Sequence, residues 1–141
     1  MYKRQPNDVA EHVRAAIHQM ARCEIGDALL QGMAIVSRVD GFINVTQPFK
    51  LAKTVETDPV AKGRLAAILY CCAEALRVAS LLLSPAMPTK MAQLWETWSC
   101  APTPGVPLVE LAAFAGPHGL KAGQRITKGG VLFMRIEVGD K

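Results

Sequence analysis

Residues 60–88 read V-A-K-G-R-L-A-A-I-L-Y-C-C-A-E-A-L-R-V-A-S-L-L-L-S-P-A-M-P, and this stretch decides the fold. Asp58 and Pro59 stand just ahead of it. An Asp that accepts backbone N–H bonds, followed by Pro at the first helical position, starts a helix. Leu65, Ile68, Leu69, Cys72, Leu76, Ala79 and Leu83 recur at three- and four-residue steps. That spacing gives one apolar face over about six turns. Pro85 and Pro88 end the run, because proline lacks the N–H and clashes with the preceding turn. A helix this long and apolar requires other helices around it.

Outward from this helix, the flanking segments read as its partners. Residues 1–6 are expected to be a frayed tail. Asn7 is a candidate cap for a helix to about Ala21, with Val9, Val13, Ile17 and Met20 inward and His12 and His18 in solvent. A second helix is expected over about 24–44, with Ile25, Leu29, Met33, Val36 and Ile43 inward. Gly26, Gly32 and Gly41 weaken it by roughly 1 kcal/mol each relative to Ala, and can let another helix approach closely. Gln47-Pro48 stops it. Beyond Pro88, Thr89 is a candidate cap for a helix to about Trp98, and Leu108–Phe114 is expected to add two helical turns. From Gly116 the chain is Gly-rich, and Val131–Glu137 is a short β-prone run that is too isolated to form a sheet and folds back onto the bundle. The fold class is therefore all-α: a helical bundle over residues 1–115, with a Gly-rich tail carrying a short strand over 116–141.

Composition narrows the chemistry. The chain has 141 residues, half of them hydrophobic, with a net charge of +4. That fits one domain with a real core and is compatible with a polyanionic partner without demanding one. The four cysteines form no C-x-x-C pair and no histidine stands at metal spacing, so they read as reduced, small apolar residues of a cytosolic protein. No phosphate-binding Gly loop or nucleophile elbow is present. Met1–Pro6 is polar and basic, unlike a secretory leader, and the apolar stretches carry charges, so no membrane partner is expected. No catalytic residue and no metal ligand is assigned. Glu74 with Arg77 or Arg64 reads as a helix-surface charge pattern. Pro48-Phe49-Lys50-Leu51-Ala52-Lys53 stands out as a turn with an aromatic ring and two ammonium groups. It can present a ring to a base and charge to phosphates, or Phe49 can simply plug the bundle end.

Four segments in order carry a resemblance: Asp40-Gly41-Phe42-Ile43, then Gln47-Pro48-Phe49-Lys50-Leu51-Ala52-Lys53, then Tyr70-x-x-x-Glu74-x-Leu76-Arg77, then Leu82-Leu83-x-Pro85-x-Met87-Pro88. Together with Gly123-Gln124-Arg125-Ile126 and Leu132-Phe133-Met134-Arg135-Ile136-Glu137, they resemble the anticodon-binding helical domain and ending of the methionyl-tRNA synthetases, class I enzymes. There the patterns run N-x-Y-I, P-W-x-L-A-K, Y-x-x-x-E-x-L-R, L-L-x-P-x-M-P, G-x-x-I and L-F-P-R-I-E. The resemblance implies recognition of the tRNA anticodon, with Phe49 stacking on a base in place of the family's Trp. A phenyl ring keeps a π-face but donates no hydrogen bond. Lys50, Lys53 and Arg38 are placed as nearby positive charge, from their position in the sequence. Asp40 stands where the family has Asn. Glu74 and Arg77 are implied to fix the bundle.

The resemblance further implies a C-terminal piece that begins one helix into the anticodon domain. The parent reaction is the ATP-dependent attachment of methionine to tRNA. ATP, and zinc as a second candidate, would belong to the catalytic domain of the parent chain; this piece has no cofactor of its own and is expected to be inactive alone. Expected partners are the tRNA anticodon loop and that catalytic domain, in the cytoplasm. The competing reading is a free-standing helical interaction module without RNA binding. In a piece separated from its docking surface, the tail leaves an apolar patch exposed and favours self-association. Sedimentation of the concentrated chain is expected to show species above the monomer, and a strictly monomeric profile would count against that patch.

Overall fold

The computed structural model describes residues 4–134, with side chains from residue 7 onward. Six helices follow in order: α1 Arg4–Ala21, α2 Ile25–Thr46, α3 Pro48–Leu51, α4 Pro59–Leu83, α5 Pro88–Trp98 and α6 Leu108–Leu111. α4 is the axis, and it packs against each of the other five. Its start is the one read from the sequence. Asp58 Oδ1 accepts the Val60 N–H at 2.8 Å, with Pro59 in the first turn.

α4 changes character along its length. Near Lys62–Ala67 most of its residues are exposed, whereas from Cys72 to Leu83 nearly every side chain is buried. By length and composition alone it could cross a membrane, yet 56% of its most apolar window is buried inside the fold. Core helices of bundles pass the same test, because they too are apolar on more than one face. Ile68, Cys72, Ala75, Val78 and Ala79 meet Val9, Val13 and Ala16 of α1 and Ile35 and Val39 of α2.

Several boundaries and faces differ from expectation. α1 already runs from Arg4, so Asn7 lies within it and does not cap it. His12 is half-buried, with Nδ1 2.8 Å from Gln31 Oε1, while His18 is exposed. On α2 the inward face is Ala28, Gly32, Ile35 and Val39; Ile25 and Met33 are each 47% exposed. The face is rotated because small residues let α2 approach α4. A Cβ on Gly32 would lie 2.8 Å from Leu83 Cγ, while Gly26 and Gly41 face open space. α5 begins at Pro88 without a side-chain cap, and α6 is one turn rather than two.

The largest departure is inside α4. Glu74 and Arg77 form a buried ion pair, with side chains 0% and 3% exposed and Arg77 Nη2 2.8 Å from Glu74 Oε1. Arg77 Nε donates to Glu74 Oε2 at 2.9 Å. The carboxylate also accepts the backbone N–H of Ala115 at 3.0 Å and of Leu120 at 2.9 Å. Arg77 in turn donates to the carbonyls of Leu111 at 2.7 Å and Ala113 at 3.3 Å. The pair thus holds the segment after α6 across the helix. Tyr70 adds a clasp, its hydroxyl donating to Leu120 O at 3.0 Å.

The tail then returns over α5. Gly129 lies against Thr97, and Leu132 and Phe133 line a groove with Leu94 and Trp98. Val131–Met134 form no strand, and there is no strand for them to pair with among the described residues; Arg135–Glu137 of the β-prone run lie outside those residues. Removing one member of a buried pair strands the other charge. Arg77→Met is expected to lower unfolding free energy by about 3–5 kcal/mol, read by urea denaturation. A loss below about 1 kcal/mol would mean that the pair is not the clamp.

Candidate nucleic-acid interface

α2 ends because Pro48 follows it. Gln47 takes a left-handed conformation, φ 47°, and its N–H closes on Ile43 O at 2.9 Å. The chain then makes the single turn of α3. On one helical turn, residues 48 and 51 share a side and residue 49 points away from it. Pro48 is buried and Leu51 packs on the core. Phe49 is therefore directed outward and is 57% exposed. It does not plug the bundle; Pro48 and Leu51 do.

Lys50 and Lys53 are both exposed, three residues apart on the continuing turn, with Lys53 N–H donating to Lys50 O at 3.2 Å. A ring and two ammonium groups thus share one short stretch, α3 and the turn that continues it, at the α4 N-terminal end of the bundle. Asp40 sits on the exposed side of α2, where Asn44 Nδ2 approaches its Oδ2 at 3.4 Å. Arg38 is set apart. About 14 Å of helix axis separates it from Gln47, and its guanidinium pairs with Asp8 of α1 at 2.9 Å. An exposed pair of this kind contributes roughly 0–1 kcal/mol, but it spends much of the free charge that the sequence placed near Phe49. The structure therefore gathers Phe49, Lys50 and Lys53, and leaves Asp40 and Arg38 on other parts of α2.

Comparison with known proteins gives the lineage. The chain is 42% identical over 103 residues, 72% of its length, to a methionine–tRNA ligase of Streptomyces coelicolor. It is 33% identical over 132 residues, 93% of its length, to that of Caldanaerobacter subterraneus, and 32% identical over 141 residues to that of Deinococcus radiodurans. The chain belongs to the methionine–tRNA ligase family. It spans about a fifth of the length of these curated relatives, 19% in each case. No family model and no solved structure matches it.

Among the residues that carry the resemblance to the methionine–tRNA ligases, two sets differ in burial. Glu74, Arg77, Leu82 and Leu83 are all buried and build the bundle. Phe49, Lys50 and Lys53 are exposed and are not needed to fill it. The ion-pair clamp was partly legible, since Glu74 and Arg77 are the only charged residues between Arg64 and Lys90. Isolated opposite charges in an apolar run of this methionine–tRNA ligase relative signal burial with a partner rather than a solvated face.

Nothing in the described residues suits a metal ion: no three His, Cys, Asp or Glu side chains converge there. The four cysteines are free thiols. Burial pushes Cys71 up, and pushes Cys72 and Cys100 up to about 11. Burial also raises Tyr70, with the Glu74 carboxylate adding to it. A raised thiol pKa leaves little thiolate near neutral pH, and the thiolate is the nucleophile. Alkylation at pH 7.5 is expected to modify exposed Cys23 first, with Cys72 and Cys100 at least about tenfold slower. Peptide mapping by mass spectrometry reads the order, and equal rates would overturn it.

Proposed function

We propose that this chain is the part of a methionine–tRNA ligase that recognises the tRNA anticodon, in the ATP-dependent attachment of methionine to tRNA. One observation carries the reading: Phe49 is presented in solvent beside Lys50 and Lys53, in the segment that resembles the family's P-W-x-L-A-K. Exposing a large aromatic ring to water sets aside burial worth about 1.5–3 kcal/mol, which a stacked base would recover. Stacking needs only a π-face, so phenyl serves in place of indole. Lys50 and Lys53 supply phosphate contacts. Asp40, exposed on α2 apart from this turn, carries a carboxylate where the family has an amide, so it accepts hydrogen bonds but cannot donate them. The partners under this reading are tRNA and the catalytic domain of the same ligase, in a soluble, cytoplasmic protein. ATP and zinc would be held by that catalytic domain.

A second reading, a helical docking module, is favoured by one feature. An apolar groove of about 520 Å³ runs between α2, α4 and α5, lined by Met33, Leu83, Met91, Trp98 and Phe133 among others. Salt separates the two readings, because phosphate contacts weaken steeply with ionic strength and apolar docking does not. A methionine-tRNA anticodon stem-loop, titrated at low salt, is expected to bind the chain about 1–3 kcal/mol more tightly than it binds the Phe49→Ala variant. Equal binding by both proteins, or none by either, would remove Phe49 from recognition.

A further inference from the structure

A second polar feature lies at the other end of α4, away from the Phe49 turn. Where α5 ends, the segment after α6 passes beside it and leaves a cleft of about 200 Å³. Arg77 forms part of its floor, and Ser99, His118, Lys121 and Gln124 line it. A shallower recess shares Ser99, Lys121 and Gln124 and adds Arg125. Neither lining contains a carboxylate. From Leu111 to Met134 the chain carries Lys121, Arg125 and Lys128 and no acidic residue. Positive charge is thus concentrated on this strip.

The cleft is built rather than incidental. Gln124 holds it open: its Nε2 donates to Trp98 O at 2.7 Å and Ser99 O at 3.2 Å, while its Oε1 accepts the Lys121 N–H at 3.1 Å. Two carbonyls at the end of α5, which would repel an anion, are thereby occupied by an amide donor. Arg77 is 2% exposed and makes four hydrogen bonds within the fold. A guanidinium has five N–H groups, so one on Nη1 has no partner among the described residues. Arg77 lines the cleft together with the Lys121 ammonium, the His118 imidazole and the Ser99 and Thr103 hydroxyls. All of these suit tetrahedral phosphate oxygens.

We propose that this cleft binds a phosphate group. Arg77 and Lys121 are its main donors, Arg125 stands at the rim, and Gln124 positions the segment that carries Lys121. The phosphate is either a backbone phosphodiester of RNA or free phosphate, since both present the same oxygens. For a phosphodiester, the inference extends the RNA-binding surface from the Phe49 turn to the far end of α4. For free phosphate it stands without that reading.

The test uses the full chain labelled with ¹⁵N. Inorganic phosphate is titrated at constant ionic strength, with chloride as the control, and Ser99, His118 and Lys121 resonances are followed. Phosphate is expected to shift them saturably and chloride is not. Lys121→Ala and Arg125→Ala, both at exposed positions, are expected to weaken the response several-fold while leaving the remaining spectrum unchanged. A single-stranded oligouridylate is then added. Displacement of phosphate assigns the site to an RNA backbone, and Lys121→Ala should lower the salt slope of oligouridylate binding by about 0.7. Retention of phosphate assigns it to the free ion. Equal shifts with chloride, or an unchanged response in both variants, would overturn the proposal. Phe49→Ala leaves this response intact, so failure here and failure of anticodon stacking are read separately.

Discussion

The structure depends on a carboxylate that has nowhere to go. Glu74 sits at 0% exposure in the middle of an apolar helix. A charge there is tolerated only if its oxygens are fully hydrogen-bonded and it has a counter-ion. Arg77, one turn on, supplies the counter-charge with two bonds, and the Ala115 and Leu120 amides supply the rest. These last two come from a segment more than 40 residues away in sequence. The requirement to satisfy one buried group therefore draws the Gly-rich segment across α4. Gly119 is where the fit is tightest, since a Cβ there would come 2.7 Å from Glu74 Oε1.

Small residues on α2 complete the frame. Gly32 lets α2 reach Leu83, and Ala28, Ile35 and Val39 follow the same seam. With both α2 and the tail seated on α4, the two ends of the axis acquire different characters. The N-terminal end is partly open and carries the Pro48 turn, where packing uses Pro48 and Leu51 and leaves Phe49 outside. The C-terminal half is enclosed, and the polar cleft forms only where the tail leaves it beside α5. The Trp95 indole joins the two layers by donating to Ser80 Oγ at 2.7 Å, so the α5 face is held by a hydrogen bond as well as by apolar contact.

Motif residues in this lineage therefore serve two physical ends. Those that meet α4 are constrained by volume and by hydrogen-bond satisfaction, and they tolerate little. On the Pro48 turn, Phe49, Lys50 and Lys53 are constrained only by what they present to solvent. Replacing Trp by Phe at position 49 leaves the turn intact, because the ring takes no part in packing it. The same holds for Asp40, whose side chain is on the open side of α2 and meets Asn44.

Much was legible in the chain itself. The Asp58-Pro59 start, the stop before Pro48 and the extent of α4 follow from local rules, because capping, proline sterics and helical periodicity act within a few residues, although Leu69 of the expected stripe is 53% exposed. The order of motifs also identified the lineage. Which face of α2 turns inward was not legible. Large apolar residues marked Ile25 and Met33, whereas close approach selected Gly32 and Ala28, and approach distance depends on the partner helix. The spacing of Glu74 and Arg77 read as a helix-surface pattern, and only the resemblance implied that they fix the bundle. Their role needed the amides of Ala115 and Leu120, which only the tertiary fold brings to them. The β-prone residues 131–134 form no strand for the same reason, since a strand requires a neighbour that no local pattern can supply. Local sequence determined the helices and their ends; tertiary structure decided which groups are buried together, because burial and hydrogen-bond satisfaction are settled between distant segments.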